Sequence, residues 1–154
     1  MPSELKIRRA NLSDLESIYQ IEIECFYEDA FPLSYLEQIL KDPRFITLVA
    51  ILENKIVGFI VGSMEFLRDK IVGHVYSIDV KPEYRRRGIG SCLLETIEDN
   101  LKREGAEKCY LEVSVNNIAA IKFYLKHGYK FLEVLGDYYG HGKDGIRLVK
   151  EMNN

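Results

Sequence analysis

The clearest hydrophobic pattern in the chain begins at His74. Residues His74–Val80 are mostly β-branched or aromatic and are followed by Lys81-Pro82, which is typical of a strand that ends there. Further on, apolar residues recur at every fourth position, which predicts an amphipathic helix that ends near Gly105. These apolar positions are Ile89, Leu93, Ile97 and Leu101.

The turn between this strand and this helix is basic and rich in glycine, in the segment Arg85-Arg86-Arg87-Gly88-Ile89-Gly90. Glycine lets the backbone turn with its N–H groups pointing outward, and the start of a helix adds the positive end of its dipole. The turn therefore predicts a phosphate-binding site. Residue spacing alone leaves open that it is only a solvated helix cap.

The pattern before His74 predicts strands and helices in mixed order. Both helices begin at capping signals, Asn11 with Asp14 and Ser34 with Glu37, and the second pair matches a capping box. The predicted elements are a strand Glu4–Arg9, a helix from Asn11 to about Phe26, a loop Tyr27–Leu33, a short helix from Ser34 that ends before Asp42, strands Phe45–Leu52 and Ile56–Phe66, and a loop Leu67–Lys70.

The pattern after Gly105 continues this mixed order. Residues Lys108–Val115 alternate strictly, so that Tyr110, Glu112 and Ser114 share one face of a predicted strand. A helix capped by Asn117 and ended by Gly128 comes next. Strands Tyr129–Leu135 and Ile146–Met152 follow, joined by the glycine-rich connection Gly136–Gly145. We therefore expect an α/β fold with a central sheet and helices on both sides, as one domain over residues 1–154.

Composition narrows the function classes. The 154 residues carry a net charge of −3, so the basic turn suits a small polyanionic ligand better than nucleic acid or an anionic membrane. The longest apolar run, Phe45–Leu52, is far shorter than the roughly 20 residues of a membrane span, and the N-terminus lacks an apolar signal region, which predicts a cytoplasmic protein. Cys25, Cys92 and Cys109 lack metal-ligand spacing, which predicts reduced thiols and no metal site.

Two motifs resemble a known family. Arg85-x-x-Gly88-x-Gly90 resembles the acyl-coenzyme A pyrophosphate loop of the GNAT acetyltransferases, and the segment Leu111–Tyr129 is similar to the RimI-like branch, which acetylates protein N-termini. The order of predicted elements matches the family over nearly the whole chain. The resemblance implies a GNAT fold with a mixed, mostly antiparallel seven-stranded sheet. It also implies an N-terminal acetyltransferase that uses acetyl-coenzyme A (acetyl-CoA).

The resemblance also implies which residues hold acetyl-CoA. Backbone groups near the end of the His74–Val80 strand and the amides of the basic turn would bind it, Asn117 would bond its pantetheine arm, and Tyr124 would lie beside its sulfur. The implied cofactor-binding residues are Ile78, Asp79, Val80, Arg85, Arg86, Arg87, Gly88, Ile89, Gly90, Ser91, Asn117 and Tyr124.

The same resemblance assigns the catalytic residues. A glutamate at the position of Glu112 is the family's candidate base, and His74 matches a position near the amine, so that it would assist. Acetyl transfer needs a neutral amine and a proton for the leaving thiolate, and Tyr124 could supply that proton as general acid. Without the resemblance, Glu112 reads as an exposed or ion-paired residue, Tyr124 as a core residue and His74 as a surface histidine.

Two further segments are similar to a eukaryotic N-terminal acetyltransferase that prefers Met followed by a hydrophobic residue. They are the loop Phe31-Pro32-Leu33-Ser34-Tyr35 and the pair Tyr138-Tyr139, which would wall a slot for the N-terminal residue. The alternative is that Phe31, Pro32 and Leu33 only pack the loop onto the core.

The sequence leaves the amine substrate open. An α-amine titrates near 7.7–8.0 and a lysine near 10.4, so a site with one modest base favours a protein N-terminus. A polyamine, another small amine or an internal lysine is the alternative substrate, and a non-catalytic acyl-CoA binding module is the alternative class. The oligomeric state and any association with the ribosome are left undetermined by the sequence.

Overall fold

The fold is built on one seven-stranded sheet, seen in a computed structural model that describes residues 4–152. The strands lie in the order β1-β2-β3-β4-β5-β7-β6. Their bounds are β1 Lys6–Arg9, β2 Phe45–Leu52, β3 Lys55–Leu67, β4 Lys70–Val80, β5 Lys108–Ser114, β6 Lys130–Leu135 and β7 Gly145–Glu151.

Within residues 4–152, four α-helices cover the two faces of this sheet. They are α1 Leu15–Phe26, α2 Leu33–Lys41, α3 Ile89–Arg103 and α4 Ile118–Lys126. Helices α1 and α2 pack against β2, β3 and β4, with Ile18, Ile21 and Leu36 among their buried residues. Helix α3 buries its four-residue stripe, including Leu93 and Ile97, on the opposite face. The predicted mixed sheet with helices on both sides is therefore confirmed.

In the described part of the chain, the sheet contains one parallel pair of neighbouring strands, β4 and β5, and the other neighbouring pairs are antiparallel. Pairing of β4 with β3 continues to Val80, whereas within residues 4–152 the pairing of β4 with β5 stops at Val75. Beyond that point the two central strands separate and leave an opening in the middle of the sheet. The β4–β5 pairs are Gly73 with Cys109, His74 with Tyr110, and Val75 with Leu111.

Helix α3 ends at the glycine that the sequence indicates. Gly105 has a φ of +99°, which side chains disfavour and glycine adopts freely. Its N–H donates to the carbonyl of Lys102 at 3.0 Å, and the N–H of Ala106 donates to the carbonyl of Leu101 at 3.0 Å. These two bonds form a Schellman motif, and the C-cap prediction is confirmed.

Two local predictions need correction. Strand β4 begins at Lys70 rather than His74, because the predicted loop Leu67–Lys70 is only a tight turn through Arg68 and Asp69. Helix α2 begins at Leu33 after Pro32, and no side chain caps it, so the capping box expected at Ser34 is wrong. Proline fixes an extended entry into the helix, which places Ser34 inside the first turn.

The other predicted cap is present. The N–H of Ser13 donates to Asn11 Oδ1 at 3.0 Å, and the N–H of Asn11 donates to Asp14 Oδ2 at 2.9 Å, as a capping box requires.

Among residues 4–152, no helix combines the length and the apolar character that crossing a membrane requires. The predicted single domain extends to residues 1–3 and 153–154, which lie outside the described part of the chain.

Candidate active site

His74 and Glu112 meet across the last paired residues of β4 and β5. The Nε2 atom of His74 lies 2.6 Å from Oε1 of Glu112, and the side chains are 16% and 8% exposed. The contact follows from the register, because His74 pairs with Tyr110 and Glu112 is the next residue of β5 on that face. The structure thus brings the two predicted catalytic groups together at the edge of the opening between the strands.

A chain of polar side chains extends from this contact in both directions. On one side, Nδ1 of His74 lies 3.0 Å from Oε2 of Glu65, which also accepts a hydrogen bond from the hydroxyl of Tyr76. On the other side, Arg147 donates from Nε to Oε2 of Glu112 at 2.9 Å. Both carboxylate oxygens of Glu112 are therefore engaged, and His74 lies between two carboxylates.

These contacts set the protonation of the pair. Burial raises the pKa of Glu112, but the hydrogen bonds from His74 and Arg147 outweigh burial and hold it below its usual value. Burial lowers the pKa of His74, but the carboxylates of Glu112 and Glu65 outweigh burial and raise it. His74 therefore titrates closer to the pKa of an α-amine than Glu112 does.

Tyr124 lies on α4 and is 7% exposed. Its ring packs edge-on against Phe123 and Tyr129, with centroids 5.4 and 5.8 Å apart. Burial raises the pKa of Tyr124 well above its usual value, and nearby Asp79 raises it further. The phenol thus stays protonated across the neutral range, as a hydrogen-bond donor must.

The start of α3 has the properties of an anion site. Gly88 takes a left-handed conformation, with φ of +80°, and no side chain caps the helix. The Cβ atom of a larger residue would have open space there, so glycine is required by its backbone conformation rather than by crowding. The first amides of α3, which include those of Ile89, Gly90 and Ser91, have no partner within the helix and can donate to a pyrophosphate.

The three arginines before this helix start differ in their contacts. Nε of Arg85 donates to the carbonyl of Val80 at 3.0 Å, and Nη2 lies 3.4 Å from Sγ of Cys25, so Arg85 braces the end of β4. The guanidinium of Arg87 stacks over Tyr84 at 5.2 Å, and Arg86 is exposed. Arg86 and Arg87 thus remain available to a polyanionic ligand.

Asn117 and Asp79 have structural contacts of their own. Oδ1 of Asn117 accepts the N–H of Ala120 at 3.2 Å as the cap of α4, so only its amide nitrogen is left for a ligand. Asp79 is 2% exposed and accepts a hydrogen bond from Ser77 at 2.8 Å. Burial and the neighbouring Glu22 carboxyl raise the pKa of Asp79 well above its usual value. Asp79 can therefore serve a cofactor through its backbone only.

Of the two segments predicted to wall an amine slot, the Tyr138-Tyr139 pair interacts with Glu112, whereas Phe31 packs against the core cluster of α1 and α2. Phe31 packs against Tyr35 with ring centroids 5.0 Å apart, and the Phe31 N–H is held by Glu22 at 2.9 Å. Pro32 and Leu33 continue this wall into α2. The Glu112 carboxylate acts on both Tyr138 and Tyr139, which raises their pKa values together with burial, to about 12 for Tyr139.

Three residues of the polar chain were missed by sequence reasoning. Glu65, Tyr76 and Arg147 stand on strands without a recognisable motif. The pairing of Arg147 with Glu112 is visible only once the register of β5 against β7 is known. Tyr76 lies at a register irregularity of β4, which strict alternation does not reveal.

Comparisons with known proteins show the family of the chain. Residues 15–129 match the Acetyltransferase (GNAT) family. The chain is 34% identical to an N-alpha-acetyltransferase of Saccharolobus solfataricus over 155 positions, which cover 95% of this chain and 92% of that relative.

Solved structures share the fold. Ard1 from Thermoplasma volcanium superposes with a TM-score of 0.87 at 24% identity, over 98% of this chain and 99% of that one. Naa20 of Chaetomium thermophilum, solved in complex with a bisubstrate analogue, gives 0.83 at 28% identity, over 96% of this chain and 86% of that one. The family match and the 34% identical relative, together with the shared fold, show that the chain belongs to the GNAT family of acetyltransferases.

Proposed function

We propose that this enzyme transfers the acetyl group of acetyl-CoA to the N-terminal α-amine of proteins. The observation that carries the proposal is the His74–Glu112 contact of 2.6 Å at the point where β4 and β5 separate. A donor entering from the side of α3 and an amine entering from the open face of the sheet would meet there. The similarity to N-alpha-acetyltransferases supports the same substrate class.

The donor site fits acetyl-CoA, which is the co-substrate of the family and supplies the activated acetyl group. The uncapped amides at the start of α3 match its pyrophosphate, and the unpaired edge of β4 offers backbone groups to its pantetheine arm. Asn117 still has its amide nitrogen free to donate. In this proposal the predicted cofactor residues keep their roles, except that the side chains of Asp79 and Arg85 already have partners within the protein.

In the proposed reaction, the amine attacks the thioester carbonyl directly in a ternary complex. A C–N bond forms, the C–S bond breaks, and the amine loses a proton. The coupled pair of His74 and Glu112 accepts that proton, because the raised pKa of His74 matches that of the amine better than Glu112 alone does. Tyr124 hydrogen-bonds the departing thiolate and gives it a proton as the C–S bond breaks, and the proton that the pair has accepted then replaces the one lost by Tyr124, so that one proton passes overall from the amine to the thiol.

The recognised end of the substrate is proposed to be Met followed by a hydrophobic residue. Phe31 packs on Tyr35, and Tyr138 packs on Tyr139; in the proposal these two aromatic pairs would wall the slot, and their hydroxyl groups would bond the peptide backbone. An acidic first residue would meet Glu112 and Glu65, so we expect it to bind poorly.

Acetylation rates on a matched set of amines test this proposal. Peptides that begin Met-Leu, Ser, Ala and Glu are compared with an N-terminally blocked peptide that contains an internal lysine, and with a polyamine. We expect the Met-Leu peptide to react fastest and its kcat/KM to rise with pH until the amine and His74 have lost their protons.

The contrary outcomes are distinct. Faster reaction of the blocked peptide or of the polyamine would replace the N-terminal substrate with the small-amine or lysine alternative. An equal or higher rate on the Glu peptide would leave the α-amine chemistry intact and remove the proposed slot.

A further inference from the structure

A depression of about 290 Å³ lies on the sheet beside the catalytic pair, between the β3–β4 turn and the start of β5. Its apolar lining consists of Leu67, Val72 and Tyr110. The remaining lining residues are charged. Neither the acetyl transfer nor the slot for the first residue uses this depression.

Strand periodicity places the depression on the same face as the catalytic pair. Val72 precedes His74 by two residues on β4, and Tyr110 precedes Glu112 by two residues on β5. Side chains two residues apart in a strand share a face and are separated by about 6.6 Å. The depression therefore begins one such step from the His74–Glu112 contact, in the direction of the strand starts.

The proposed walls of the first-residue slot lie in the opposite direction. Tyr138 and Tyr139 contact Gly145, which pairs with Ser114 beyond Glu112 on β5. Helices α1 and α2 pack against β2, β3 and β4, and the face of β5 and β7 lies outside those contacts. A peptide whose N-terminus is held at Glu112 thus has an open path over Val72 and Tyr110.

We propose that this depression binds the side chain of the third residue of the peptide substrate, and that Leu67 determines the preference there. An extended peptide advances by about 3.3 Å per residue and directs its first and third side chains to the same side. The third side chain therefore reaches the floor formed by Val72, which is 7% exposed, and by Tyr110. This inference rests on the proposed N-terminal acetylation.

The charges at the rim favour an apolar occupant. Nζ of Lys70 lies 3.8 Å from Glu107 Oε1, and Nζ of Lys108 lies 3.5 Å from Glu151 Oε2, so these four charges neutralise one another in pairs. Arg68 adds a positive charge to the lining. The site therefore selects leucine-like side chains and rejects lysine at the third position.

The experiment compares Leu67 with its neighbour Phe66. Leu67 is 52% exposed and lines the depression, whereas Phe66 is 82% exposed and is not part of the lining, so Phe66→Ser is a matched control. The substrates are peptides Met-Leu-X-Gly with X as Leu, Gly or Lys, and Met-Leu-amide reports N-terminal acetylation without a third residue.

In the unmodified enzyme we expect kcat/KM to be about fivefold higher for X as Leu than for X as Gly, in the range that a hydrophobic pocket gives for small apolar differences. Leu67→Ser removes most of this ratio, and Phe66→Ser leaves it unchanged. Leu67→Glu makes Lys the preferred third residue, since it places an opposite charge beside that side chain.

Two results would overturn the inference while leaving the proposed function in place. One is an equal rate for all three peptides in the unmodified enzyme, with Met-Leu-amide acetylated. The other is a Leu-to-Gly ratio that survives in Leu67→Ser or is lost equally in Phe66→Ser. Failure to acetylate Met-Leu-amide and every peptide would instead overturn the proposed function itself.

Discussion

Two glutamates of similar burial, Glu98 and Glu112, lie in different surroundings in this molecule. Their side chains are 10% and 8% exposed, and each carboxylate is held by two other side chains. Glu98 accepts from the hydroxyl of Tyr129 at 2.8 Å and lies 2.8 Å from Nζ of Lys150. By burial and hydrogen bonding alone the two residues cannot be told apart.

The difference lies in the partners and in the location. Burial raises the pKa of Tyr129 well above its usual value, so this phenol keeps its proton across the neutral range. The partner of Glu112 is a histidine, whose proton can leave within the physiological range. Glu98 is one of the buried residues of α3, whereas Glu112 borders the opening between β4 and β5. This difference in partner and location is the reason why the proposed base is Glu112 and not Glu98.

The largest effect is expected from Glu112→Gln. The amide keeps the size of the side chain but removes the charge that supports His74, so we expect kcat to fall by about 10²–10³-fold, as for loss of a general base. The KM for acetyl-CoA should change little, because Glu112 lies on the amine side of the opening. Steady-state kinetics with a Met-Leu peptide measure both, and an unchanged kcat would refute the role of the pair.

A second test compares two tyrosines whose rings touch, Tyr124 and Tyr129. Tyr124→Phe removes the proposed proton donor, and we expect kcat to fall by about 10–100-fold with the fold intact. Tyr129→Phe removes a hydrogen bond to Glu98, which should lower the free energy of unfolding by about 1–2 kcal/mol and leave kcat within about twofold. If Tyr129→Phe lowered kcat as much as Tyr124→Phe, the separation of structural and catalytic groups would be wrong.

Glu98→Gln should give the complementary result to Glu112→Gln. It leaves the ammonium of Lys150, whose side chain is 27% exposed, without its anion. We expect the free energy of unfolding to fall by about 1–3 kcal/mol, with kcat at 25 °C unchanged within about twofold. Urea denaturation measures the free energy of unfolding of both glutamine variants, and steady-state kinetics measure their kcat. A folded Glu98→Gln enzyme without activity would contradict the structural role given to Glu98.

The smallest effect is expected in the pH dependence of stability. Two carboxylates raise the pKa of His74 in the folded state, so its protonated form stabilises the fold. This contribution is complete below about pH 6.5, the unfolded value, and is lost as the pH rises through the raised pKa. We therefore expect His74→Gln to lower the free energy of unfolding more at pH 6 than at pH 9. The difference between the two pH values should be about 1 kcal/mol or less.

The pKa of Glu112 shifts in the opposite direction and supplies the control for this test. Its pKa is lowered in the folded state, so its contribution is present above about pH 4.3 and is lost as the pH falls through the lowered value. Between pH 6 and pH 9 only His74 changes its charge within the pair. If the loss of unfolding free energy in His74→Gln grew as the pH rose, the pKa of His74 could not be raised in the folded state.

Most of the fold was predictable from local patterns. The four-residue stripe of α3, the alternation of β5 and the glycines at 105 and 128 each specify an element or its end, and the structure agrees. The predicted cap at Ser34 failed because the neighbouring Pro32 sets the helix start, which a motif read in isolation does not reveal. Local chemistry thus predicts elements well and boundaries less well.

The sequence predicted only those residues of the site that lie in a segment similar to the family or match one of its positions. Glu112 and Tyr124 lie in a segment that resembles the family, and His74 matches it by position. Glu65 and Arg147 join them through strand pairing across residues far apart in sequence, and no local pattern encodes that pairing. These two contacts affect the chemistry of the site, because Glu65 raises the pKa of His74 and Arg147 lowers the pKa of Glu112.

The separation of β4 and β5 leaves two backbone edges unpaired in the middle of a sheet, a place where folded proteins normally leave none. A ligand that fills this gap would bind the folded chain and not the unfolded one, and it would therefore stabilise the folded state. At a concentration 100 times its dissociation constant it would add about 2.7 kcal/mol to the free energy of unfolding. The stability of the folded enzyme would then depend on the concentration of the acetyl donor as well as on its own contacts.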